Sequence, residues 1–242
     1  MKVALCISGH IRTFEDIYSG LKQYVLDEFN PDVFLSTYDT MGYRYPNTAV
    51  IEEKGQQRSI DYETAKIDAT KIIQVLNPVS IIVDHWPKII PHMFVKAEQI
   101  LNKKKWSPKP EAIYSMHYKI FQCNELKKMY ENMSGEKYDI VIRTRPDIGY
   151  TSSLKLWYEN QPKDKLITEQ HGLSCGIADD TFAIGPSYLL DEYCQIYNMT
   201  EQFYMQYVPN SNPHELLKAF LNTKISEKWI QIPHIPIYLK TT

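Results

Sequence analysis

The sequence predicts an α/β fold, a mostly parallel central sheet flanked by helices, on three observations. Short apolar runs rich in β-branched residues recur along the chain, as in "KVALCIS" (2–8), "DVFLSTY" (32–38) and "DIVIRT" (139–144). Segments of helical periodicity separate them, with short joints. The first strand, helix and strand form a βαβ unit, which implies parallel pairing and a right-handed crossover.

The elements follow in order. Residues 2–8 read as a buried strand that stops at Gly9. A helix from Thr13 or Phe14 to about Phe29 carries Ile17, Leu21, Tyr24 and Val25 on its apolar side, and Pro31 ends it. Residues 32–38 are the second strand. Residues 40–59 are polar and read as a surface excursion. A helix over 61–76 leads through Asn77-Pro78 to the strand "VSIIVD" (79–84). A further helix is expected over 94–104. Residues 111–133 are strongly helical, with two occupied faces that place the helix inside the molecule, and Gly135 stops it. The fourth strand is "YDIVIRTRPD" (138–147). Residues 149–178 read as irregular apart from a short strand near "KLIT", followed by the strand "ADDTFAIG" (178–185) and the helix "PSYLLDEYCQIYNM". A last helix opens at Asn212-Pro213. The tail "WIQIPHIPIYL" holds two prolines, so it is an edge strand or an extended segment. No repeat, low-complexity tract or linker divides the 242 residues, so one domain over 1–242 is expected, its last third the less regular.

Composition narrows the function. A net charge of −2 provides no overall basic field for DNA or RNA, and no nucleic-acid partner is expected. The cluster Lys103-Lys104-Lys105-Trp106 is too short to alter that and suits a solvated helix end. The opening "MKVALCISGHIRTF" has the wrong pattern for a signal peptide. No stretch approaches the roughly 18 apolar residues of a membrane span. Cys6, Cys123, Cys175 and Cys194 are scattered without zinc or redox spacing, which fits reduced thiols and a cytoplasmic location. Asn132 and Asn198 head glycosylation sequons that carry little weight without a secretory signal.

In an open parallel sheet, ligands collect beyond the carboxyl ends of the strands. Four places qualify: Ser8–Arg12, Thr37–Asp39, Arg143–Asp147, and Asp179 with Asp180. Strand parity puts Arg143 and Arg145 on one face, about 7 Å apart, with Asp147 beside them if the chain stays extended. Such a pair can grip a diphosphate or lock carboxylates; equally, Pro146-Asp147 is good turn chemistry and the arginines can simply pair with nearby acids. "SGHIR" offers Gly9 for close backbone approach, a helix start that favours anions, and Arg12 for charge, but neither a dinucleotide fingerprint nor a P-loop. Adjacent carboxylates point apart, so one of Asp179 and Asp180 is expected to reach a site, as a general base or a metal ligand. Tyr118, Lys119, Glu215 and His234 are weaker candidates with ready structural roles.

Taken together, "ALCISGHIRTF", "PDVFLSTYD", "YDIVIRTRPDI" and "DDTFAIG" resemble, in order and spacing from residue 3 to about 222, the GT-A-like glycosyltransferases of bacterial surface-polysaccharide and giant-virus gene clusters, including WavE-type lipopolysaccharide synthesis proteins. The resemblance implies a GT-A-like (Rossmann-like) domain, with residues 1–150 as the nucleotide-sugar-binding half and 151–242 as the acceptor-side half. It implies a hexosyl- or pentosyltransferase that moves sugar from a nucleotide-sugar donor to a hydroxyl of a glycan acceptor. By similarity Gly9, His10, Arg12, Arg143, Arg145 and Asp147 lie at the donor, and Asp180, with Asp179 beside it, is catalytic. Asp147 would hold Mg²⁺ or Mn²⁺, although Arg143-Thr144-Arg145-Pro146-Asp147 stands where many such enzymes carry Asp-x-Asp. The alternative is a non-catalytic carbohydrate- or nucleotide-binding protein on a transferase-like fold.

Overall fold

The computed structural model describes residues 1–42, 48–53, 56–61, 66–86, 88–89, 92–93, 95, 110–171, 177–207 and 213–240. Strand β1 (Val3–Ser8) lies at the centre of a seven-stranded sheet. On one side of it come β2 (Asp32–Tyr38) and then β5 (Ser80–Asp84), both parallel. On the other side lies β6 (Ile140–Thr144), also parallel. Next to β6 runs β9 (Ile177–Pro186), antiparallel to it, then β8 (Leu166–His171) and the edge strand β10 (Trp229–Ile232). β9 therefore runs against the other six strands, and this one reversal matters for the site.

The strands read as continuous apolar runs because both faces are covered. Ala4, Cys6, Phe34, Val141, Leu166 and Ala183 pack in one core layer, while Val3, Leu5, Ile7, Val33, Leu35, Ile140, Ile142, Ile167 and Ile184 pack in the other. That division follows the two-residue alternation of side chains along a strand. The first layer is capped by α3 (Pro110–Ser134), α5 (Ser187–Cys194), α6 (Ile196–Tyr207) and α7 (Pro213–Lys224). The second is capped by α1 (Phe14–Leu21), α2 (Ala69–Leu76) and α4 (Leu154–Glu159). Proline opens α3 and α7, where its missing N–H costs nothing. Gly135, at φ +73°, closes α3 through its amide on the Glu131 carbonyl at 3.0 Å.

The first helix continues from α1 through a π-helical turn (Lys22–Leu26) to Asp27–Phe29. It ends at Asn30 in the left-handed conformation, one residue before the proline. Three other expectations need correction. The polar excursion after β2 contains a hairpin, β3 (Thr48–Glu53) with β4 (Gln56–Asp61), and so α2 begins only at Ala69, capped by the Asp68 carboxylate on the Thr70 amide. The stretch after β6 is more regular than expected: besides the strand near "KLIT", which is β8, it holds β7 (Ile148–Tyr150) and α4 with its Ser153 cap. The helix after β9 is broken at Gln195 into α5 and α6. The sheet is mostly parallel, as expected, with β9 as its one reversed strand. The helix expected over 94–104 falls almost wholly outside the described residues.

The tail is an edge strand, as its prolines require, and then β11 (Ile237–Leu239), which pairs with β7. Its last residues brace the strand ends: the Lys240 amide donates to the Asp147 carbonyl at 3.0 Å.

Candidate functional site

The carboxyl end of β1 turns sharply at Gly9. Its φ of +125° is one that L side chains rarely adopt, its amide donates to the Ser36 carbonyl at 3.0 Å, and its carbonyl accepts from the Thr37 hydroxyl at 2.8 Å. Arg12 follows with φ +44°, a left-handed backbone that costs about 1 kcal/mol for a non-glycine residue. What holds it is an ion pair: Arg12 Nη1 donates to Asp147 Oδ2 at 2.8 Å.

Asp147 reaches that position because the chain turns after β6. The Ile148 amide donates to the Arg145 carbonyl at 3.3 Å across Pro146-Asp147, a reverse turn rather than an extended run. The turn brings Asp147 back onto Arg145, whose Nε and Nη2 donate to its two oxygens at 2.9 and 2.6 Å. Asp147 is thus gripped by two guanidiniums and is 2% exposed. Burial alone would raise its pKa, but Arg145 and Arg12 outweigh burial and hold the carboxyl below its usual range.

Because β9 runs against β6, its first residues lie at the carboxyl end of the other strands. They are also displaced by a bulge: between the pairs Thr168–Ala183 and Gln170–Ala178, β8 advances two residues and β9 five. Bulges re-aim side chains. Here the displaced segment is Asp179-Asp180-Thr181, and the usual up–down alternation fails in it. Asp179 Oδ1 accepts from the Thr181 amide at 2.9 Å. Asp180 approaches Arg145 Nη1 at 3.9 Å through Oδ2 and His214 Nδ1 at 3.4 Å through Oδ1. As a result both adjacent carboxylates, with His214 of α7, place ligand atoms within 4.8 Å of one another. The expectation that only one of the pair could reach a site is corrected by the bulge.

Two carboxylates and an imidazole suit a divalent cation such as Mg²⁺ or Mn²⁺. Asp180 Oδ2 is buried without a hydrogen-bond partner among the described residues, and such an orphaned oxygen is of the type that ligates a cation. Burial pushes the Asp180 pKa up, yet Arg145, His214 and Arg143 together bring it below the usual carboxylate range.

The remaining residues singled out from the sequence are placed as follows. His10 stacks on Tyr38 with ring centroids 4.5 Å apart and meets Trp86 edge-on at 5.1 Å. Its Nδ1 lies 3.2 Å from the Thr40 carbonyl, and burial with nearby Arg12 lowers its pKa to about 3. This aromatic group adjoins the ion-pair cluster, and Lys119 Nζ sits 4.3 Å from the Tyr38 ring centroid while bonding Asp84 at 2.7 Å. Arg143 is not at the edge: it is 1% exposed, inside the layer under α3 and α5. Arg12, Arg145, Asp147, Asp179 and Asp180 are brought together; His10 stands beside them and Arg143 behind them.

His214 was missed in the sequence, where attention fell on its neighbour Glu215. Its only local signal is a histidine at the start of a helix opened by Pro213, and nothing local links it to carboxylates more than thirty positions earlier.

No protein-family model matches the chain, and no curated protein matches it. Among solved structures the chain is similar to apo mouse xyloside xylosyltransferase 1, at 8% identity and a TM-score of 0.47, covering 99% of this chain and 97% of that one. It is similar to the apo form of the glycosyltransferase GlyE of Streptococcus pneumoniae TIGR4, at 11% identity and a TM-score of 0.48. That match covers 96% of this chain but 44% of GlyE, so the chain spans less than half of that protein. A third is the galactosyltransferase LgtC solved with donor and acceptor sugar analogues, at 9% identity and a TM-score of 0.43, covering 96% of this chain and 73% of that one.

Proposed function

We propose that this protein is a glycosyltransferase that moves a sugar from a nucleoside-diphosphate donor to a hydroxyl of a glycan. The observation that carries the reading is the meeting, at the carboxyl end of the sheet, of an Asp179–Asp180–His214 group able to hold a divalent cation with the arginines Arg12 and Arg145 locked by Asp147. Sugar transfer leaves a nucleoside diphosphate, whose developing negative charge needs fixed cations. The order and spacing of the sequence motifs point the same way.

In this reading Arg12 and Arg145 face the diphosphate. Asp147 shares its two oxygens between them and sets their spacing, so no carboxylate edge is left for a metal, and the metal role passes from Asp147 to the bulge. Asp179, Asp180 and His214 would hold Mg²⁺ or Mn²⁺, and that ion would neutralise the leaving diphosphate. Asp180 suits this role better than that of a general base, because a carboxylate held at low pKa is a weak proton acceptor. In the aromatic group beside Arg12, His10 is the part-exposed member that could meet the donor, held in place by its stack on buried Tyr38.

The test is a screen of nucleotide-sugar hydrolysis and transfer using UDP-hexose, UDP-pentose and GDP-hexose donors, with and without Mn²⁺. Release of nucleoside diphosphate from one donor is expected. Binding of nucleotide without release of sugar, in the presence of glycan acceptors, would overturn catalysis in favour of a binding protein.

A further inference from the structure

We infer that Arg143 is a positioning residue for Asp180, a cation fixed inside the fold that holds this carboxylate at the sheet edge without itself touching a ligand. The inference rests on the proposed reading of that edge, but its central test does not.

Arg143 lies at the middle of the sheet. It pairs with Cys6 of β1 on one side and Ala183 of β9 on the other, and Ala183 pairs in turn with Thr168 of β8. Directly paired residues share a face. Small neighbours on both flanks leave room for a long side chain to lie across the sheet beneath α3 and α5. Nε donates to Ser8 Oγ at 3.2 Å. Both terminal nitrogens, Nη1 and Nη2, are buried and have no hydrogen-bond partner among the described residues. A guanidinium so enclosed is tolerable only beside a countercharge and acceptors.

The surroundings supply both. Of the three carboxylates at the edge, Asp147 has its oxygens engaged by Arg12 and Arg145, and Asp179 is bonded to the Thr181 amide. Asp180 retains a buried oxygen, Oδ2, that makes no hydrogen bond among the described residues. His117 of α3 supplies a further acceptor by elimination. The Thr200 hydroxyl gives its proton to the Ile196 carbonyl at 2.7 Å, so at 2.9 Å it can only accept from His117 Nδ1. The lone pair of His117 is therefore on Nε2, which is buried without a partner, as is the Tyr193 hydroxyl of α5. Arg143 and His117 both act on the charge of Asp180, and Arg143 and Asp180 both act on Tyr193. Buried donors of Arg143 and buried acceptors of Asp180, His117 and Tyr193 thus stand without partners among the described residues in one region behind the edge. Removing Arg143 therefore takes a buried positive charge away from Asp180.

The experiment is a double-mutant cycle on the full chain by urea unfolding, with Arg143→Met, Asp180→Asn and the double variant, accompanied by calorimetry with UDP, without and with Mn²⁺. Arg143→Met should raise the unfolding equilibrium constant at least tenfold, and adding Asp180→Asn should bring it back down at least tenfold. Arg143→Lys, which keeps the charge, should stay within threefold of the parent. Without Mn²⁺, UDP affinity of Arg143→Met should stay within threefold, whereas Arg145→Ala should lose tenfold or more; with Mn²⁺, Arg143→Met should lose most of the cation's contribution, because Asp180 is one of its proposed ligands. If Arg143→Met does not fold, folding of the double variant supports the pairing, and failure of both variants overturns it. Strict additivity in the cycle overturns it too, and a UDP loss in Arg143→Met matching that of Arg145→Ala without Mn²⁺ makes Arg143 a direct contact. If the parent protein binds no UDP, the functional reading falls while the cycle still decides the pairing.

Discussion

Asp147 shows how much one side chain holds at this edge. It is buried between two arginines, and taking one partner away from a buried charge group costs about 3–5 kcal/mol. Asp147→Asn is therefore expected to lower unfolding free energy by about 3 kcal/mol in urea titration, as well as to loosen Arg12 and Arg145. Because its folded pKa lies below the unfolded value, its contribution is intact above about pH 4 and is lost as pH falls through the lower folded value. The histidines add a loss at milder acidity. His10 at about 3 and His117 at about 4 stay neutral when folded, while the unfolded chain takes up their protons near 6.5. Stability should fall as pH drops from about 6.5, by roughly 1.4 kcal/mol per pH unit for each group. His10→Phe, which keeps the stack on Tyr38, should make the fall in melting temperature between pH 7 and 5 shallower. An unchanged slope would place the titration elsewhere. At the cation group, His214→Ala should abolish any Mn²⁺ dependence of UDP binding in calorimetry.

Among the elements, β9 decides most. Its reversal brings Asp179 and Asp180 to the carboxyl end of the sheet, and its bulge lets neighbouring carboxylates converge on His214. The identity of the strand was legible in "ADDTFAIG", but its direction and its three displaced residues depend on partners β6 and β8. The same holds for the turn after β6: Pro146-Asp147 can serve a turn or an extended strand end, and only contact with Arg12 selects between them. The hairpin β3–β4 escaped because its one apolar run, Ala49-Val50-Ile51, is short, sits in a mostly polar stretch and shows no alternation that would mark a buried face. The packing of α1 on β7 offers a separate test. A methyl group at Gly20 would lie 2.8 Å from the Tyr150 carbonyl oxygen, a backbone atom that cannot swing aside. Gly20→Ala should cost about 1–3 kcal/mol despite its better helix propensity, as read by thermal unfolding.

For the whole molecule, the proposed ligand should act as a stabiliser. A ligand at a hundred times its dissociation constant adds about 2.7 kcal/mol to folding. In a chain of this length each kcal/mol raises the melting temperature by about 2–4 °C. Saturating UDP or GDP with Mn²⁺ should therefore raise it by several degrees. No shift with any nucleoside diphosphate would count against the donor site. Among the described residues no helix is long and apolar enough to cross a membrane.

By itself the sequence determined the layers of this protein. Local hydrophobic runs place β1, β2, β5 and β6, helical periodicity places α1 and α3, and the residues that stop each strand mark the edge where charge collects. These properties depend on neighbours a few positions apart, so they survive without knowledge of the fold. The tertiary structure alone decided which charges meet. Arg12 and Asp147, Asp180 and His214, and Arg143 and Ser8 are joined across separate strands and helices. Such pairings are set by strand order, direction and register, and no local pattern encodes them.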